Sequence, residues 1–293
     1  MRGFLKTVTG HATILGSVLI AGSALAQTPA PAAPGAVPYR YAATTPRNCV
    51  DPAKFPAFLD QMRREASAQG VSPRGLAALD GVAFDPSVVS RDRGQKVFTQ
   101  TFEEFSGRMV PPRLGRAKQM MAKHAALLAK IEQQFGVPAG IIVAIWGLET
   151  DFGAFLGEFN TVRALATLAY DCRRPEKFRP ELIAVTKIVD RGDLNPATAK
   201  GAWAGEIGQT QFMPTQYLKF ALDYDGDGQR DLVRSVPDVL ASTANYLKGY
   251  GWQRGQGWSP GQPNFAVIQE WNKAEVYART IAYFGEQLEK GRR

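Results

Sequence analysis

From Pro138 the chain runs Ala-Gly-Ile-Ile-Val-Ala-Ile-Trp-Gly-Leu and then meets Glu149. A helix opened by Pro138 across this stretch is apolar on every side, so it has to lie inside the core. Whatever fold the chain adopts must wrap other elements around it. Glu149 closes the run, just before Thr150-Asp-Phe-Gly153. A carboxylate there loses water on most sides, and desolvation disfavours its charged form. In a helix it also lies at the negative end of the macrodipole, which pushes the same way. An acid kept protonated near neutral pH can deliver a proton to a leaving group. A boundary residue that salt-bridges an arginine is the alternative.

The rest of the chain supplies helices to surround that core, and the fold class expected is mainly α with little β structure. Residues 54–69 carry Phe55, Phe58, Leu59 and Met62 at helical spacing and stop at Gly70. Helical patterns follow over 92–105 and over 114–135, the latter stopped by Gly136. Others are expected from Asn160 or Thr161 to Tyr170, then over 180–191, 214–222 and 274–289. Ser235-Val-Pro-Asp238 has the character of a capping box and opens a helix to Lys248. Strand-like alternation is scarce, with 264–270 the best candidate.

The beginning of the chain reads as an export signal. Arg2 and Lys6 precede an apolar stretch over 12–25, and Ala24-Leu-Ala26 offers a small-residue cleavage site. Residues 27–46 form a Pro/Ala-rich leader, and 47–293 are long enough for one large domain or two intimately packed lobes. No cysteine follows the apolar stretch closely, so no membrane anchor through a lipidated thiol is expected, and the product should be a soluble, exported monomer. Loss of Arg2 and Lys6 takes the net charge from +8 to +6. A modest basic excess suits an anionic polymer such as cell wall. Nucleic acid is disfavoured, because there is no dense Lys/Arg block and no zinc-finger pattern. The two cysteines, Cys49 and Cys172, suggest a disulfide in an exported chain. Two unpaired thiols are the alternative.

Histidine is nearly absent: His124 is the single one beyond the signal. Serine–histidine triads and histidine-ligated zinc would both have to run through it. Carboxylate chemistry is therefore the expectation. The segment Gly201-Ala-Trp-Ala-Gly-Glu-Ile-Gly-Gln-Thr-Gln-Phe-Met-Pro214 is glycine-rich, then polar, and lacks the Gly-Lys-Ser/Thr of a phosphate loop. It reads as backbone brought close to an extended ligand, with Gln209 and Gln211 offering the paired donors and acceptors that sugars require. A structural glycine turn is the alternative. Glu206, in the same segment, is a candidate second carboxylate. Further on, Asp223, Asp225, Asp227, Gly228 and the Gln229 carbonyl match the start of an EF-hand loop. The match breaks at position twelve, which is Arg234, so calcium stands against a metal-free acidic turn. Asp231 or Asp238 are the available substitutes, through a shifted loop or water.

Taken together, Glu149-Thr-Asp-Phe-Gly153, Gly205-Glu-Ile-Gly-Gln-Thr-Gln-Phe-Met-Pro214 with Tyr217, the Asp-Gly-Asp-Gly loop, Ala244-Asn-Tyr-Leu247 and Asn264-Phe-Ala-Val-Ile268 with Trp271-Asn272 resemble the lytic murein transglycosylases of the B type. The resemblance covers about 55–288. It implies a lysozyme-like helical catalytic domain with helical accessory regions, acting on peptidoglycan glycan strands in the periplasm. It implies that Glu149 is the single acid/base, that Arg173, Arg174, Gln211 and Tyr246 lie along the glycan-binding groove, and that no cofactor is required beyond a possible structural calcium. Tyr217 and Trp271 join them as substrate-binding candidates. The expected products are 1,6-anhydromuramoyl ends. A lysozyme-type hydrolase using Glu206 and a non-catalytic wall-binding scaffold are the alternatives.

Overall fold

The structure is a computed structural model that describes residues 50–94 and 100–290. The expected signal and leader, and Cys49, lie outside the described residues. The helices in chain order are α1 (Phe55–Ala68), α2 (Pro73–Leu76), α3 (Pro86–Arg93), α4 (Phe102–Met109), α5 (Pro111–Lys123), α6 (Ala125–Phe135) and α7 (Ala139–Thr150). They continue with α8 (Thr161–Tyr170), α9 (Pro175–Arg191), α10 (Pro214–Phe220), α11 (Val236–Gly249), α12 (Phe265–Trp271) and α13 (Glu275–Glu289). A two-residue ribbon, β1 (Phe159–Asn160) and β2 (Lys200–Gly201), pairs antiparallel with Phe159 opposite Gly201. The mainly α class is as expected.

Helix α7 is the axis of the core. Ile141, Ile142, Val143, Ala144 and Ile145 are fully buried, and burying each large side chain contributes about 2 kcal/mol. Its main partner is α13, and glycines set how closely the two approach. A Cβ on Gly140 would lie 2.8 Å from the Gly285 carbonyl, and one on Gly285 would lie 2.4 Å from Ile141 Cδ1. At the start of α7, Gly140 N–H donates to Glu289 Oε1 at 2.6 Å, which satisfies a helix-end donor and places an acid at the positive pole. Around this axis, α8 packs on α9, and α9 on α2 and α10. Among the described residues no single helix is long and apolar enough to cross a membrane.

Three local expectations are corrected. The helix expected over 92–105 is two: α3 ends at Gly94, and α4 starts behind a capping box in which Thr101 and Glu104 exchange hydrogen bonds. Residues 95–99 lie outside the described residues. The long helix over 114–135 breaks at His124 (φ −108°, ψ 23°), where α5 gives way to α6. The strand-like stretch 264–270 is α12. Fully buried Asn264 fixes the turn before it, accepting from Gln253 N–H at 2.7 Å and donating to the Gln253 and Gln256 carbonyls. Phe265, Val267 and Ile268 then face the core of a short helix, a spacing too brief to separate period two from period 3.6.

Candidate functional site

The chain does not continue α7 past Thr150, because Asp151 and Phe152 both take left-handed conformations (φ 55° and 61°). Non-glycine residues in that region cost about 1–3 kcal/mol each, and such strain gathers at functional sites. Phe152 recovers part of the cost by packing edge-on against Trp146 at 5.5 Å. Arg113 secures the same end: its Nε donates to the Gly147 carbonyl at 3.0 Å and lies 3.5 Å from Asp151 Oδ1. The turn leaves Glu149 partly open to solvent, with its carboxyl reaching residues far along the chain.

Trp271 Nε1–H donates to Glu149 Oε1 at 2.9 Å, and the Tyr277 hydroxyl also hydrogen-bonds the carboxylate. Trp271 stands edge-on to Phe212 at 5.4 Å and to Tyr246 at 4.7 Å. Tyr246 is buried, and its hydroxyl donates to the Glu270 carbonyl at 2.7 Å, which anchors the end of α12. Desolvation among these rings is the largest influence on Glu149 and raises its pKa. The two donors lower it, and the negative charge of Glu206 raises it again. Desolvation wins, leaving the carboxyl pushed up to about 7. A salt bridge to arginine, the alternative reading of Glu149, is not among its interactions in the described residues.

The glycine-rich loop contributes Phe212 and Glu206. Ile207 and Phe212 exchange backbone hydrogen bonds at 2.8 and 2.9 Å across a turn through Gly208 (φ 77°) and Gln211 (φ 54°). A Cβ on Gly208 would lie 2.2 Å from the Leu232 carbonyl, so the close approach needs glycine. Glu206 Oε2 accepts from Ala204 N–H at 3.1 Å. Burial raises its pKa, while its own backbone N–H, Lys177 and Ala204 N–H oppose that.

The other site candidates divide. Gln211 turns its amide onto the loop, donating to the Gly208 and Leu156 carbonyls at 2.8 and 3.2 Å and accepting from Ala202 N–H at 3.3 Å. Gln209 is buried between Trp146 Nε1 and the Val233 carbonyl, so its amide holds the core, contrary to the expectation of a sugar contact. Arg173 and Arg174 both grip Asp92, which is 1% exposed; Arg173 Nη1 lies 2.5 Å from Asp92 Oδ2. Lys177, one turn beyond Arg174, interacts with both Asp92 and Glu206, which places the arginine pair on the same edge as the loop acid. Tyr217 corrects its expectation outright: it is 1% exposed and its hydroxyl donates to the Arg230 carbonyl. A tyrosine reads the same in sequence whether its ring faces ligand or core. Tyr246 likewise supports Trp271 from behind, with its own hydroxyl spent on Glu270.

In the acidic loop, one carboxylate oxygen from each of Asp223, Asp225 and Asp227 lies within 4.8 Å of the others. That cluster fits the oxygen preference of a divalent cation. The loop is also well braced by itself: Asp223 accepts from the N–H groups of Gly226 and Gly228, Asp225 from Ser235 Oγ, and Asp227 from Gln229 N–H. Arg234 Nε turns to Asp231 Oδ2 at 2.7 Å, and fully buried Asp238 accepts from Tyr224 and Asp231 N–H. Neither substitute acid is thus left open.

Asp92, Phe212 and Tyr277 are site residues that the sequence did not single out. Tyr277 had a faint signal, an aromatic in the first turn of the last helix. Asp92 had none, because its partners lie some eighty residues away.

A family described as the transglycosylase SLT domain matches residues 54–262. Membrane-bound lytic murein transglycosylase B of Escherichia coli (strain K12) is 40% identical over 140 residues, which is 45% of this chain and 38% of that relative's length. The crystal structure of SltB3 from Pseudomonas aeruginosa in complex with NAG-NAM-pentapeptide superposes with a TM-score of 0.76 at 32% identity, covering 82% of this chain and 80% of the other. The soluble lytic transglycosylase SltB1 from the same organism gives 0.72 at 25% identity, over 82% of this chain and 99% of the other.

Proposed function

The chain belongs to the transglycosylase SLT domain family, and on that premise we propose that it cleaves the MurNAc–GlcNAc β-1,4 bond of peptidoglycan without hydrolysis. The observation that carries the reading is the Glu149 carboxyl, held up to about 7 between two aromatic donors. Protonated Glu149 donates its proton to the glycosidic oxygen as the bond from muramoyl C1 breaks. The muramoyl acetamido oxygen closes on C1 and stabilises the positive charge. The resulting carboxylate then takes the proton of the muramoyl 6-hydroxyl, whose oxygen attacks C1 and displaces the acetamido oxygen. Glu149 ends protonated again, no water is consumed, and the products are a GlcNAc 4-hydroxyl and a 1,6-anhydromuramoyl end. Trp271 and Tyr277 orient the carboxyl; positioning of this kind is what an acid/base step needs from its neighbours.

Because the step starts from the protonated acid, turnover should fall as pH rises through about 7. Glu206 offers a second reading. Two carboxylates could run a hydrolysis, with Glu206 activating water. Digestion of purified sacculi with residues 27–293, read by mass spectrometry, separates the cases: anhydro ends support the transglycosylase, and reducing ends the hydrolase. The Glu206→Gln variant gives an independent check. As a mere neighbouring charge, its loss lowers the Glu149 pKa, so the alkaline limb of the rate profile moves to lower pH with turnover retained. Abolished turnover would instead make Glu206 catalytic.

We further propose that the acidic loop takes a structural calcium through Asp223, Asp225, Asp227 and the Gln229 carbonyl, outside the chemistry. Binding to the folded state alone raises its stability, so chelation should lower the melting temperature. An unchanged melting curve leaves the loop as a self-braced turn. For the start of the chain we propose export to the periplasm with cleavage before Gln27 and a disulfide between Cys49 and Cys172, supported by the composition of the leader and by the even cysteine count. The intact mass of the exported protein should correspond to a chain from Gln27, without lipid, and lighter by the two thiol hydrogens. A mass that includes residues 1–26 or both thiols would reject that part.

A further inference from the structure

Between Glu104 and Glu132 the chain has six Lys and Arg residues and no acid. The stretch covers the end of α4, all of α5 and most of α6. A basic run is often only a solvated face, so what its members touch decides. Three of the six turn to the protein itself: Arg113 to the Gly147 carbonyl and Asp151, Arg116 over the Phe152 ring at 5.5 Å, and Lys130 over Tyr224 at 5.4 Å. Lys118 and Lys123 are exposed and have no ion-pair partner among the described residues. The same holds for Lys290, just past the end of α13.

Lys118 and Lys290 both line a cavity of about 410 Å³, within the usual range of ligand pockets. Its remaining wall is apolar. Met121, Leu128 and Leu288 supply the larger side chains, and short ones at Ala122, Ala125 and Ala139 leave the room, where α5, α6, α7 and α13 meet. No hydroxyl or amide side chain lines it, so it offers a sugar little. The acids beside it are turned to the start of α7: Glu289 accepts from Gly140 N–H at 2.6 Å and Glu132 from Ala139 N–H at 3.4 Å. Two turns before Lys290 on α13, Tyr283 is 39% exposed. It stands edge-on to Phe102 at 6.0 Å, and the Arg279 guanidinium lies 4.3 Å over that phenylalanine ring. Tyrosines, and cations on long apolar stems, are the side chains that suit a bilayer interface.

We propose that this face of α5 and α13 docks on a bilayer of anionic phospholipid. Lys118, Lys123 and Lys290 pair with the lipid phosphates, while the cavity and Tyr283 take the apolar boundary beneath the headgroups. An apolar pocket between two cations matches that layering of charge over hydrocarbon. Attachment of this kind is peripheral and needs neither a spanning helix nor a lipidated thiol. It also leaves the chemistry accessible. Ala139, in the cavity wall, and Glu149 are ten residues apart on α7, about 15 Å along the helix axis. The catalytic turn therefore stands at the far end of α7 from the lipid.

The test mixes the exported protein with vesicles of phosphatidylcholine alone, or of phosphatidylcholine and phosphatidylglycerol in equal parts, and reads the bound fraction by flotation. Binding is expected to the anionic vesicles only, and it should weaken as salt rises. Each cation at an anionic surface contributes about a five-fold change in partition, so Lys118→Gln, Lys123→Gln and Lys290→Gln combined should bind on the order of 100-fold less. Lys54→Gln, Lys200→Gln and Lys248→Gln combined remove the same charge from exposed positions elsewhere and should change binding little. Tyr283→Ser should weaken it through the apolar contact alone. The substituted lysines are all exposed, so unchanged melting temperatures and unchanged release from sacculi are expected. Absence of binding to anionic vesicles, or an equal loss in both triple variants, overturns the proposal. So does a first triple variant that keeps vesicle binding and loses sacculus binding, which would assign the face to wall polymer. Failure of the wild-type protein to release anything from sacculi is a separate result and counts against the proposed reaction instead.

Discussion

Glu149→Gln should abolish release of anhydromuropeptides from sacculi, a loss of at least about 10²–10⁴-fold for a missing acid/base, while making the folded protein more stable at alkaline pH. The amide introduced in that variant keeps an oxygen to accept from Trp271 and Tyr277, so the contacts change little. The proton ledger changes more. An acid whose folded pKa is raised from 4.5 to about 7 carries no penalty below 4.5, where both states are protonated. As pH rises toward 7 the unfolded chain releases its proton first, and the folded wild type loses stability. Above that the penalty is complete, at about 2–3 kcal/mol once partial exposure is allowed for. The variant has no such titration. Its advantage in melting temperature should therefore be absent near pH 4 and full near pH 8, on the order of several degrees. A variant that still releases anhydro ends would remove Glu149 from the mechanism. Melting curves parallel at every pH would mean that the carboxyl is not desolvated.

Asp92→Ala should be the more damaging change to the fold. Asp92 is 1% exposed and holds Arg173 and Arg174, whose side chains are 21% and 18% exposed. Next to it Arg93 pairs with Asp171 at 2.7 Å, so α3 is fastened to the approach to α9 by a compact group of charges. Removing one partner of a buried pair typically costs about 3–5 kcal/mol, because the opposite charge is left without compensation. Residual water at the guanidiniums argues for the low end, about 3 kcal/mol, or roughly 6–12 °C in melting temperature for a domain of this size. Thermal unfolding of the variant reads this directly. If the melting temperature holds and sacculus binding falls, the arginines serve glycan and Asp92 merely orients them.

The same arginines show where sequence reasoning reaches its end. Two adjacent cations in an exported chain read naturally as a grip on an anionic polymer. In the folded protein both reach an aspartate some eighty residues earlier. Tyr217 and Tyr246 fail for a related reason: an aromatic with one polar atom suits a sugar face and a core equally well. Helix boundaries were legible where glycine or a capping side chain marked them, as at Gly70, Gly136, Gly192 and Ser235. They were not at His124, where nothing in the local pattern signals a break.

Much about Glu149 followed from the chain alone. A run with no polar face must be buried, and a carboxyl at its end must be desolvated, because both follow from the environment of one segment. That its donors are Trp271, 122 positions away, and Tyr277 beyond it could come only from the tertiary structure. The same holds for Phe212 and Tyr246 behind Trp271, and for Glu206 as the nearby charge. Periodicity reports whether a face meets water or core. Which polar group meets which is a matter of a few ångströms between distant elements, and local pattern carries no information about it.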